Sequence, residues 1–169
     1  MKLLKQVQIA EEFQGILMTI FSLTDNFERA DNLIIDEFLK SNSFAVDCLG
    51  EKAKKNPEIY LRQLFDNQKI SVEDFRELNE NEIANFFIDY SNESDWGEDR
   101  KEFKNLVEKF KTIIGNYPSD KFYLISKDWF EKDNEKIRNP ENWIYLYYFL
   151  VIWFDNEKKS LIVCEWTYD

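Results

Sequence analysis

Apolar side chains recur at nearly helical spacing through the first two thirds of the chain and gather into strand-like runs in the last third. From Leu3 to Phe21, the positions Leu3, Val7, Ala10, Leu17 and Phe21 keep a helical interval, with Ile9, Phe13, Ile16 and Ile20 alongside. This spacing predicts a first helix, with Gly15 as a weak point inside it. "TDNFERADNLIIDEFLK" predicts a second, capped by Asp25, with Phe27, Ala30, Ile34 and Phe38 on one stripe. "FAVDCLG" adds a helical turn ending at Gly50. In "NPEIYLRQLF", Asn56 suits the cap, Pro57 the first helical position and Glu58 the positive end of the dipole.

"ISVEDF" reads as another capped start, since Ser71 and Asp74 have capping-box spacing and Ile70 and Phe75 that of a hydrophobic staple. Val72, Phe75 and Leu78 would then face inward, with Glu73 and Glu77 on the opposite side. In the next helix Ile83, Phe86, Phe87 and Tyr90 share a face, leaving Asn85 and Asp89 outward and Glu82 on the flank. The last helix, "EDRKEFKNLVEKFKTIIG", puts Phe103, Leu106, Val107, Phe110, Ile113 and Ile114 on one face and stops at Gly115.

Beyond "NYPSD" the period changes. "KFYLIS" predicts a strand, and "WIYLYYFLVIWF" and "SLIVCEWTY" flank "DNEKK" as a hairpin with a loop of about five residues. The first hairpin strand is apolar on both faces and so belongs at the centre of a sheet covered on both sides. The expected architecture is α+β: a single domain over 1–169, helical over about 1–115, packed on a three-stranded antiparallel sheet over about 119–169 that ends in a β-hairpin.

Charge changes this picture most. The chain of 169 residues carries 22 Lys and Arg against 33 Asp and Glu, a formal −11. Ser71–Asp99 alone holds ten acidic side chains and a single basic one, Arg76, or −9 of that total. Such a balance disfavours direct binding of nucleic acid and of anionic membranes, and favours basic partners. Like charges at i,i+4 cost roughly 0.2–0.5 kcal/mol per pair, so a surface keeping them suggests a cationic counterpart. The expected partner-binding residues are Glu73, Glu77, Glu80, Glu82, Asp89, Glu93, Asp95, Trp96, Glu98 and Asp99. Trp96 is the expected exposed aromatic anchor, and Tyr90 reads better as core.

Candidate chemistry is thin. There is no histidine, so imidazole bases, Ser-His or Cys-His nucleophiles and imidazole metal ligands are excluded together. Glycines occur only at 15, 50, 97 and 115 and cannot form a phosphate-binding fingerprint. "NESDWGEDRKEF" imitates a calcium loop, but with Gly97 at its sixth position Phe103 falls where the bidentate Glu belongs. No enzymatic activity, metal or cofactor is expected. Cys48 and Cys164 lie far apart and read as buried thiols of a reducing compartment. The start "MKLLKQVQIAEEF" lacks the apolar region of a secretory signal, and "WIYLYYFLVIWF" is shorter than the about 20 residues of a membrane helix. The expectation is a soluble cytoplasmic protein.

A small, acidic, histidine-free chain of α+β build with an A/T-rich codon flavour resembles the bacterial immunity proteins of toxin–immunity systems, contact-dependent inhibition included. The resemblance is one of class, spread over the chain without a motif. It implies binding to a cognate toxin domain, often a basic nuclease, by a protein that is a monomer or weak dimer alone. Two other readings compete. One is a phage-type inhibitor that mimics nucleic acid on a host enzyme. The other is a non-catalytic homodimeric module joined through "SLIVCEWTYD" as an open sheet edge.

Overall fold

The computed structural model describes residues 1–23, 30–45, 69–93, 99–125 and 147–168. Among the described residues six antiparallel strands form one sheet: β1 (Lys2–Ala10), β2 (Gln14–Ser22), β3 (Arg76–Leu78), β4 (Phe122–Ile125), β5 (Tyr147–Asp155) and β6 (Ser160–Tyr168). Their spatial order is β1-β2-β6-β5-β4-β3, so β1 and β3 are the two edges. The helices are α1 (Asp31–Lys40), a four-residue α2 (Asn42–Ala45), α3 (Glu80–Ser91) and α4 (Arg100–Asn116), with a 3₁₀ turn at Val72–Asp74.

The sequence pattern was misleading at the N-terminus. Residues 2–22 form a β-hairpin, not a helix, and the sheet has six strands where three were expected. The cause is the burial of β2 on both faces: Ile16, Met18 and Ile20 point to one side, and Thr19 and Phe21 to the other. Apolar residues from two faces, counted together, imitate a 3.6-residue interval. Inside β1 the alternation of Gln6, Val7, Gln8 and Ile9 carried the strand signal. Gly15 sits opposite Ala10, where an added Cβ would lie 3.2 Å from the carbonyl oxygen of Ile9. The description of Ser71–Asn79 as one helical stretch also fails, because the 3₁₀ turn runs directly into β3. β6 lies between β2 and β5, so "SLIVCEWTYD" is no open edge.

The rest of the hairpin assignment stands. All nine residues of β5 are buried, as its unbroken apolar run required. Tyr147, Phe149, Val151 and Trp153 face one side, with Ile162, Cys164 and Trp166 of β6, and are covered by α3 and α4. Tyr148, Leu150, Ile152 and Phe154 face the other, with Leu161 and Val163, and meet Ile34, Ile35, Phe38 and Leu39 of α1. The layers are therefore helix, sheet, helix. All six apolar positions assigned to the last helix are buried on α4. On α1, Ile34 and Phe38 are buried as expected, whereas Ala30 is exposed and serves as N-cap. The proposed cap Asp25, Phe27, "NPEIYLRQLF" and Cys48 lie outside the described residues. Cys164 is fully buried in β6, and burial pushes its thiol pKa well up, which suits an inert core thiol.

Aromatic packing fixes α3 and α4 on the sheet. Phe87 stacks on Trp166 with ring centroids 4.2 Å apart, and meets Phe110 and Phe149 edge-on at 5.1 and 5.8 Å. Phe87→Ala removes the ring shared by α3, α4, β5 and β6. It is expected to cost about 3–5 kcal/mol in chemical denaturation; a loss under about 1 kcal/mol would mean that the two helices are held by something else.

Candidate functional site

The acidic segment starts at the β3 edge and crosses one face of the sheet. Ser71 and Asp74 form the expected capping box, with the Ser71 amide donating to Asp74 Oδ2 at 2.8 Å. Ile70 and Phe75 are both buried in the α1-side core. α3 opens with a second reciprocal cap: Glu82 N–H donates to Asn79 Oδ1 at 3.0 Å, and Asn79 N–H donates to Glu82 Oε2 at 2.7 Å. From there Ile83, Phe87 and Tyr90 turn inward, with Phe86 half-buried beside them, while Asn85 and Asp89 are exposed. Arg76, the only cation of the segment, lies 5.2 Å over the ring of Phe86.

These contacts sort the expected binding residues by their local work. Glu82 is exposed but spends one carboxylate oxygen on the cap. Glu77, on β3, pairs with Lys121 Nζ at 2.9 Å, and the hydrogen bond and charge of Glu77 raise the Lys121 pKa. Glu93 is exposed, and its carbonyl accepts from Arg100 Nη2 at 2.7 Å, joining the end of α3 to the start of α4. Asp95, Trp96 and Glu98 lie outside the described residues. Glu73, Glu80 and Asp89 are exposed and, among the described residues, have no ion pair or side-chain hydrogen bond. Tyr90 is buried, at 8% exposure, as a core ring.

Asp99 belongs elsewhere. It accepts the Tyr168 hydroxyl of β6 at Oδ2, and its carbonyl accepts from Gln14 Nε2 at 3.0 Å. Gln14 Oε1 in turn accepts the buried Tyr147 hydroxyl at 2.9 Å. This chain fastens the start of α4 to three strands, and half-buried Asp99 acts within it as a structural acceptor.

Two members of the surface had escaped the sequence reading. Asp31, at the start of α1, accepts the Tyr123 hydroxyl at 2.9 Å and also acts on Lys121, which places a further carboxylate near the β3 edge. Burial first, and then Asp31, raise the Tyr123 pKa. Packing of α1 on the sheet brings Asp31 to Tyr123, and pairing of β3 with β4 sets Glu77 opposite Tyr123, so no local signal announces them. Ile88, 38% exposed, stands on the outer side of α3 beside Asp89. It was legible as an apolar residue out of phase with Ile83, Phe87 and Tyr90.

Among the described residues no group of His, Cys, Asp and Glu could hold a metal ion, and no helix is long and apolar enough to cross a membrane. No family model, curated protein or solved structure matches the chain.

The Tyr168–Asp99 bond gives a pH test. The hydrogen bond, followed by burial, raises the Tyr168 phenol from 10.0 to about 12. Its contribution to stability is complete below pH 10.0 and is lost as the pH rises through about 12. In an alkaline titration followed by tyrosinate absorbance, Tyr168→Phe should delete a late-titrating step in that window. An unchanged profile would show that the bond is not formed in solution.

Proposed function

We propose that the chain is an immunity-type inhibitor that binds a basic toxin domain, such as a nuclease, through the outer side of α3 and the turn before β3. The observation that carries the reading is the set of exposed carboxylates without an ion pair among the described residues, Glu73 in the turn before β3 and Glu80 and Asp89 on α3, a helix whose twelve residues include no Lys or Arg. A nuclease must gather Lys and Arg to hold phosphate, and a rigid carboxylate surface can occupy the same cations. The packing of Phe86, Phe87 and Tyr90 on Phe149 and Trp166 holds that surface in place before the partner arrives. Inhibition here requires binding alone, with no catalytic step and no cofactor.

The test begins with recovery of the partner from the native host and assay of its toxic activity with and without this chain. Glu73→Gln, Glu80→Gln and Asp89→Asn together should lower the association rate about tenfold at low salt and converge on the parent rate at high salt. An unchanged rate at low salt would place recognition on another surface.

A further inference from the structure

The opposite edge of the sheet has a chemistry of its own. β1 pairs only with β2 and leaves the backbone of a nine-residue strand open along its outer side among the described residues. Four of the six exposed large apolar side chains belong to this hairpin: Met1, Leu3 and Leu4 at one end and Phe13 in its turn. Charge is divided along it. Lys2 and Lys5 are exposed in the first half, which has no acid, and Glu11 and Glu12 follow its last residue. Glu11 is occupied by Lys109 at 2.6 Å, whereas Glu12, Lys2 and Lys5 have no ion pair among the described residues.

We propose that β1 pairs antiparallel with β1 of a second copy, in a twofold arrangement centred on Val7. A strand basic at its start and acidic at its end is complementary to itself only when reversed, as an isologous contact requires. In this register Lys2 of each copy lies beside Glu12 of the other, Lys5 opposite Ile9, and Gln6 opposite Gln8. Val7 and Ile9 already pack at the margin of the α3–α4 core; in the dimer Val7 meets Val7 of the second copy, and Ile9 is flanked by its Lys5 and, diagonally, its Val7. Leu3 and Leu4, 56% and 55% exposed, come to lie against its Glu11 and Ala10. Lysines on an edge strand ordinarily discourage pairing. Here they forbid the parallel alignment, which would set Lys2 on Lys2 and Lys5 on Lys5, and permit the reversed one. The irregular pairing between Leu3 and Lys5 confines the regular ladder to Lys5–Ile9, so Lys2 and Glu12, which lie beyond it, meet through their long side chains and not through the backbone register. A contact of this size falls at the low end of specific interfaces, below about 1,200 Å², so the dimer is weak and reversible. It uses the edge farthest from β3, is independent of the toxin-binding reading, and leaves both acidic surfaces free.

Sedimentation velocity at low ionic strength, from about 1 µM to about 1 mM chain, spans the relevant affinities. The weight-average mass should climb from 20.5 kDa toward twice that value. Lys2→Glu and Glu12→Lys should each weaken the dimer about tenfold, since two symmetry-related exposed pairs are reversed together, and the double variant should restore it. Both positions are exposed, and circular dichroism checks that each variant keeps the fold. A parent chain that stays monomeric throughout overturns the proposal, as does a dimer indifferent to both single substitutions or one that the double variant fails to rescue.

Discussion

The structure depends on a sheet that is buried on both sides at its centre. β5 has no polar face to offer solvent, and seven of the nine residues of β6 are likewise buried. Hydrophobic burial on that scale obliges the chain to provide two covers, α1 on one side and α3 with α4 on the other. Everything of functional interest follows from how those covers are fixed. The Phe87–Trp166 stack and its edge-on neighbours hold α3 in one orientation across β5 and β6, and so determine which side of the helix faces outward. The exposed carboxylates inherit their positions from an aromatic core.

The acidic segment is less homogeneous than its composition. Asp74 and Glu82 accept backbone amides at the starts of helical turns, where negative charge is locally favourable. Glu77 is neutralised by a lysine from β4's approach, and Asp99 is a structural acceptor at the other end of the sheet. Part of the charge therefore has a local reason that needs no partner. The remainder has less: Glu73 and Glu80 stand in first turns without capping a backbone amide, Asp89 lies near the end of α3, and none of the three has an ion pair among the described residues. The proposed interaction surface is accordingly smaller than the segment, and most of it lies on α3.

What could be read in the chain was whatever local order decides. The cap at Ser71, the inner faces of α3 and α4, and the doubly buried character of β5 all follow from spacing and side-chain type, whereas the cap at Asn79 was hidden by reading Ser71–Asn79 as one helical stretch. The β1–β2 hairpin was hidden because Ile16, Met18, Ile20 and Phe21 serve two cores at once, and this erases the alternation that marks a strand. Long-range pairing was hidden for a different reason. The joining of Glu77 to Lys121 depends on strand order, and that of Tyr123 to Asp31 and of Asp99 to Tyr168 on how helix starts pack against the sheet, neither of which spacing encodes.

The proposed recognition surface is α3 and the turn before β3. Hydrogen–deuterium exchange of the chain, free and bound to the basic domain proposed as its partner, addresses this directly. Binding at that surface should slow exchange across residues 72–93 and leave the α1 side of the sheet unchanged. Protection concentrated on α1, with 72–93 exchanging as in the free chain, would contradict it.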